Sequence, residues 1–424
     1  MYAPSVPNRI RFLLLSLLLL VLGLPTQVAG IPAFARKYKV TCALCHAPFP
    51  RLNAFGEEFA GNGFALVRGE RPVDTLWVGD DMLRLQRDIP LAIRMDAYIM
   101  GLSESGEGGV QSDLQTPWGI KLLSGGQITD DISYYMYFYM SERGELAGLE
   151  DAYLQFNDVA GSGVDLIAGQ FQVSDPMFKR ELRLEYEDYQ GYRVRVGDVR
   201  ADLTYDRGLM AMTSPWTNGD LVVQVVNGRG LSEATSFRTY DQDSWKNVAA
   251  HFSQDLGFAR LGAFGYAGKE KSEGLESTIR VIGPDLTVPL GPRLELNAQY
   301  LYRRDGNPFF LTTCTDAAFR CDTGADDPLA TEVDSYLGEL VWSPRGAMGR
   351  WFFTALYNRV ESDRTVFRLR LGEEDGSPGY LDAYETISVG AHYFQARNVR
   401  LTAEVAWDRI VERARFTTGV VTAF

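Results

Sequence analysis

Leu91-Ala92-Ile93-Arg94-Met95-Asp96-Ala97-Tyr98-Ile99-Met100 divides into two faces of period two. Leu91, Ile93, Met95, Ala97 and Ile99 make an apolar row, while Ala92, Arg94, Asp96, Tyr98 and Met100 make a row that carries charge. The alternation returns in Ala201/Leu203/Tyr205 against Asp202/Thr204/Asp206, in Leu294/Leu296/Ala298/Tyr300 against Glu295/Asn297/Gln299, and in Val399/Leu401/Ala403/Val405/Trp407 against Arg400/Thr402/Glu404/Asp408. The core of an ordinary secreted sandwich or solenoid does not tolerate such charges. The polar rows are therefore read as facing a watery lumen and the apolar rows as facing lipid, the pattern of a transmembrane β-barrel.

Working outward, short turn signals fall at Thr129-Asp130-Asp131, 160–163, Asn218-Gly219-Asp220, Gly257-Phe258, Gly291-Pro292, 343–349 and Arg397-Asn398, with long polar loops between them. Short turns on one side then join hairpins into about 16 antiparallel strands, an even number with both chain ends on the short-turn side. The expected fold is all-β, a transmembrane antiparallel barrel over 90–424, preceded by a small α-helical segment. Phe416, Thr418, Val420, Thr422 and Phe424 share a face and end in an aromatic, which resembles the C-terminal signature read by the barrel assembly machinery. The longest interruption, 174–200, holds Lys179, Arg180, Arg183, Glu185, Glu187 and Asp188 and is expected to fold inward, either as a constriction or against the N-terminal segment.

Composition agrees with an exported barrel. The chain has 424 residues, a formal charge of −13, 42 glycines and 12% aromatics, with only 4 cysteines and 3 histidines. That mixture excludes a disulfide scaffold, a zinc-cluster protein and a helical membrane bundle, and the acidity argues against nucleic acid as a partner. Arg9 and Arg11 precede an apolar run over 12–24, then Pro25 and a Val28-x-Gly30 cleavage pattern, so 1–30 reads as a secretory signal peptide. The run is shorter than the roughly 17–25 residues of a spanning helix.

Between leader and barrel, 31–89 contains Cys42-Ala43-Leu44-Cys45-His46, the C-x-x-C-H attachment pattern of c-type haem. On one helical turn two cysteines three apart share a face, so both can add to the vinyl groups of one porphyrin while the adjacent histidine turns to the iron. A thioredoxin-like dithiol, a zinc site and a plain Cys42–Cys45 disulfide are the rival readings, and each is weaker: strand signal before Cys42 is poor, and four zinc ligands are not at hand. Pro50 is expected in a first helical turn, Leu52, Phe55 and Phe59 on a face covering the porphyrin, and Asn62-Gly63 at the helix end. Cys314 and Cys321, in a long loop, are expected to form a local disulfide, leaving one haem c.

Phe34-Ala35-Arg36, the C-x-x-C-H run, and Pro50-Arg51-Leu52-Asn53-Ala54-Phe55-Gly56 with Phe59 and Gly63-Phe64 resemble the N-terminus of the fused monohaem cytochrome c-porin family, relatives of the outer-membrane iron-oxidising cytochromes. The resemblance implies thioether links at Cys42 and Cys45 and a proximal ligand at His46. For the distal iron ligand the candidates are Met82, His392 and His251, with Met100 behind them. No acid–base or nucleophilic pair stands out, so the expected chemistry is electron transfer, by resemblance that of an Fe(II):cytochrome c oxidoreductase. The expected location is the bacterial outer membrane, with the haem segment on the periplasmic side and a soluble periplasmic c-type cytochrome as partner. The alternatives are a solute porin with a tethered cytochrome and a redox sensor or assembly plug. Acidic residues gather in the long loops at Asp316, Asp322, Asp326, Asp327, Glu332 and Asp334, and again at Glu373-Glu374-Asp375, where they would attract cations or simply solvate the rim.

Overall fold

The alternating stretches pair into one closed sheet. A computed structural model describes residues 33–66, 75–313, 327–364, 367–368 and 381–424, apart from 81, 84, 88, 104–109, 143, 145, 147 and 242. The barrel strands are β1 (Leu91–Ser103), β2 (Val110–Gln127), β3 (Ile132–Glu142), β4 (Gly148–Phe156), β5 (Val164–Gln172), β6 (Tyr205–Trp216), β7 (Gly219–Val226) and β8 (Asn247–Asp255). They continue as β9 (Arg260–Ser272), β10 (Leu275–Pro289), β11 (Leu294–Asp305), β12 (Thr331–Trp342), β13 (Trp351–Ser362), β14 (Ala383–Ala396), β15 (Val399–Asp408) and β16 (Arg413–Ala423). Each pairs antiparallel with its sequence neighbour, and β16 closes on β1 with Val420 opposite Ala97. Closure leaves no sheet edge without hydrogen bonds, which a wall immersed in hydrocarbon requires.

The seven expected short turns are the seven connections at one end of this barrel, and the sixteen strands follow from them. The faces also agree. On β14 and β15, Ile387, Val389, Val405 and Trp407 are 44–54% exposed, whereas Ser388, His392, Thr402 and Glu404 are at most 4% exposed and point inward. Apolar side chains outside and charges inside make this a barrel of the lipid-immersed kind. Trp342, Trp351, Phe353 and Tyr393 cluster at the short-turn end, with Trp351 4.8 Å from Tyr393, as an interfacial aromatic girdle.

One alternation is corrected. Ala201 and Leu203 do not face lipid: they end the long connection between β5 and β6, and both are buried inside the barrel, with Leu203 N donating to Tyr192 O at 2.9 Å. A short apolar row fits a packed lumen loop as well as a wall, and only the neighbouring chain decides which. The whole connection, 173–204, runs through the lumen. Tyr189, Tyr192, Val199 and Leu203 pack against wall residues Phe264, Ile279, Leu301 and Leu356 from the opposite side.

Candidate functional site

The N-terminal segment is lodged in the short-turn mouth of the barrel. Helix α1 (Ala33–Tyr38) leads to a single 3-10 turn at Cys42–Leu44, a tight reversal over 46–52 and helix α2 (Ala54–Gly61). His46 N and Cys45 N both donate to Cys42 O, which carries the two cysteines and the histidine round one turn. The reversal closes by Ala47 N to Arg51 O at 3.0 Å and Asn53 N to Cys45 O at 2.9 Å. Pro50, expected in a first helical turn, lies in this reversal instead. Asn53 caps α2 by accepting from Gly56 N at 2.9 Å, so the helix starts at Ala54, beyond the proline. Asn62-Gly63 ends α2 as expected, with Gly63 at φ 67°.

His46 Nδ1 lies 2.9 Å from Pro50 O. The tautomer that donates from Nδ1 to that carbonyl leaves Nε2 with its lone pair, the orientation a metal-ligating imidazole needs. Burial pushes His46 below its ordinary value, only partly opposed by hydrogen bonds to the Pro50 and Arg51 backbone, so the ring is neutral at pH 7. Burial likewise raises Cys42 and Cys45, and both thiols are free. Two unjoined thiols on one turn beside a neutral imidazole fit a covalently attached haem. Among the described residues no group of three or more His, Cys, Asp or Glu is arranged to hold a metal ion directly.

The segment is held by packing and by charge. Phe64 stacks on Phe34 at 4.9 Å and on wall Tyr135 at 5.2 Å, and Phe59 meets Phe34 edge-on at 5.3 Å. Phe59 itself packs on Phe34, Tyr38 and Phe64 within the segment, and Phe64 carries the contact to the wall. Gln155 Nε2 donates to Gly61 O at 2.5 Å, and Arg51 pairs with Glu295 and Glu339 of β11 and β12. Sequence reading missed these receptors, because nothing in a lumen-facing Gln or Glu says which partner will lie across the barrel. Arg51→Ala leaves the nearly buried Glu339 carboxylate without its cation. Only the Glu339 half of the pair is shielded from solvent, so the expected loss is about 1–3 kcal/mol of docking free energy. It should appear as faster amide exchange over 51–66 with the strands unchanged, and unchanged exchange there would refute the anchoring role.

Gly56 is a second unforeseen determinant. A Cβ there would stand 2.2 Å from Cys45 O, so α2 presses directly on the C-x-x-C-H turn. Gly56→Ala should cost about 1–3 kcal/mol by overpacking. The expected sign is a lower thermal midpoint for the segment in the full-length protein; an unshifted midpoint would mean the turn yields freely.

The lumen loop reaches the same place from the other end. Lys179 pairs with Glu57 of α2, and Leu184 shares a cluster with Val341, Phe352 and Phe394 against which Phe49 packs. The loop therefore fills the barrel centre and touches the N-terminal segment, meeting both roles that its mixed charge allows. On its far side it leaves a cavity of about 620 Å³, lined by Arg94, Asp96, Arg183, Glu187, Asp408 and Arg415 among others.

A closed wall of sixteen strands with an infolded loop after β5 decides the fold relationship. The barrel has the porin fold. It matches an anion-selective porin from Comamonas acidovorans with a TM-score of 0.53 at 10% identity, over 80% of this chain and 99% of that one. The outer membrane channel DcaP of Acinetobacter baumannii matches with a TM-score of 0.53 at 12% identity over 80% and 97%, and a loop-deletion form of OmpT of Vibrio cholerae with 0.51 at 10% over 80% and 99%. No protein-family model and no curated protein matches the chain. At these identities the likeness to porins is one of fold.

The other residues singled out from sequence lie in different places on this porin fold. Met82 is 94% exposed in the connector before β1. His392 faces inward near the short-turn end, its Nδ1 2.8 Å from Thr402 Oγ1 and its Nε2 3.1 Å from Thr354 Oγ1. His251 also faces inward, 2.8 Å from Asp285. Met100 lines the cavity in the long-loop half, where its sulfur accepts from Gln115. Cys314, Cys321, the signal peptide and most of the acidic loop residues lie outside the described residues.

Proposed function

We propose that this chain is an outer-membrane monohaem c-type cytochrome-porin, built like the fused cytochrome-porin family that its N-terminus resembles. It passes electrons between an extracellular donor or acceptor, with ferrous iron the foremost candidate, and a soluble periplasmic c-type cytochrome. The observation that carries this reading is the C-x-x-C-H turn seated inside the mouth of a closed, lipid-type barrel. A haem bound there supplies one-electron exchange between ferrous and ferric iron. Cys42 and Cys45 anchor it, His46 ligates it, and Pro50 O orients the His46 ring. Short turns are periplasmic in bacterial barrels, so the turn faces the periplasm while the charged cavity faces outward. The lumen loop and the N-terminal segment both obstruct solute passage and bring the outer cavity closer to the redox site.

The porin fold and that cavity also favour a second reading, a solute porin with a tethered cytochrome. Reconstitution of the haem-loaded protein in liposomes with its long loops outward separates the two. Reduction of the haem by external ferrous iron or another impermeant reductant supports the conduit. Swelling in small solutes without such reduction supports the porin.

A further inference from the structure

Beside the C-x-x-C-H turn, at the short-turn rim, lies a cleft of about 210 Å³ lined by Arg345, Met348, Arg350, Phe394 and Arg397. It adjoins the proposed haem site through contacts already described: His46 lies 5.2 Å from Phe49, and Phe49 packs in the cluster of Phe394, which lines the cleft. Arg397 is near enough to Cys42 for the two to interact electrostatically. The three arginines face no carboxylate among the described ion pairs. Arg397 donates to Met348 O at 3.2 Å, and Arg350 lies 3.5 Å from the Tyr393 hydroxyl. Met348 ends a 3-10 turn between β12 and β13 and is 64% exposed, although its neighbours make the rim largely cationic.

A cleft that gathers three arginines and a thioether next to two vinyl-reactive thiols has a composition suited to one kind of guest. A haem brings two carboxylates at one edge and, at its centre, an iron that takes thioether ligands. Guanidinium groups recognise carboxylates by paired donors, and a thioether is a soft ligand for haem iron. The sequence candidates are less well disposed. His392 has both nitrogens against threonine hydroxyls, His251 is held by Asp285, and Met82 sits on the exposed connector. We infer that the rim cleft completes the haem site: Arg345, Arg350 and Arg397 bind the propionates of the haem hung from Cys42 and Cys45, and Met348 is the distal iron ligand. This rests on the haem reading proposed above.

The test uses full-length protein produced with a cytochrome maturation system. In wild type, ferric spectra should be low-spin and show the weak far-red sulfur-to-iron band. Met348→Ala should retain covalent haem by mass, lose that band, turn the ferric iron high-spin and bind added imidazole more tightly. Met82→Ala should change none of these. Arg345→Gln/Arg350→Gln/Arg397→Gln should lower the midpoint potential, because cations near the haem edge favour the reduced, less positive state. Heat-modifiable migration of each variant reports that the barrel is folded. If wild type carries no covalent haem, the haem reading itself fails. If haem is present and Met348→Ala leaves spectrum and imidazole affinity unchanged, only the cleft assignment is overturned.

Discussion

Cys42→Ala/Cys45→Ala, expressed alongside the wild type with a cytochrome maturation system, should yield a colourless protein whose mass is that of the bare mature chain. Thioether bonds from these two sulfurs would be the covalent link to the porphyrin, so each single variant should carry less haem than wild type and the double variant none. The barrel should survive the change. Both cysteines are only half-buried, and the segment's hold on the wall comes from Phe64, Arg51 and Gly61. Intact-mass measurement and haem staining after denaturation read the first outcome, and heat-modifiable migration reads the second. A double variant that kept a haem-sized mass increment would end the c-type assignment, as would a wild type of bare mass.

Asp188→Ala should be among the most destabilising substitutions in the lumen. The carboxylate receives Arg180 Nε at 2.9 Å, Arg193 Nη1 at 3.3 Å and Arg183 Nη1 at 3.4 Å, all within the barrel. Burial alone would raise its pKa, but the three guanidiniums hold it well below the usual carboxylate range. Removing it takes the shared carboxylate away from three guanidiniums, and breaking a buried ion pair from one side costs about 3–5 kcal/mol. The wall stays closed by its own hydrogen bonds, so the loss should fall on the loop. Proteolysis and amide exchange over 173–204 should rise sharply, and single-channel conductance should increase as the loop leaves the lumen. An unchanged conductance together with unchanged exchange would show that the loop is held elsewhere. The linkage has a definite sign. A depressed carboxylate contributes stability above its unfolded-state value and loses it only as pH falls through the folded one, so the wild-type loop should stay docked well into acid.

The same loop marks a limit of pattern reading. Ala201/Leu203 alternates as cleanly as Leu401/Ala403, yet one row packs on Tyr192 inside the lumen and the other faces outward from β15. Period two reports an extended backbone with two unlike faces; it carries no information about what lies against either face. In β1 and β15 the ambiguity disappears because Arg94, Asp96, Arg400 and Glu404 need water or counter-charges and the opposite row needs neither. The N-terminal segment shows a related limit. The end of α2 at Asn62-Gly63 was legible because left-handed backbone is a local property of glycine, whereas its start moved from Pro50 to Ala54 once the reversal over 46–52 had used the proline.

What the sequence determined alone, then, was whatever depends on near neighbours: the strand faces, the seven short turns, the sixteen-strand count they imply, and a C-x-x-C-H run on a single turn. Contacts between distant parts of the chain were decided by the tertiary structure. Glu295 and Glu339 receive Arg51, Phe64 meets Tyr135, and Glu404 accepts from Tyr186 N and Glu187 N in the lumen loop. Closing a barrel brings sixteen inward rows round one axis, and which groups then meet depends on register and loop path, quantities that no local window of residues contains.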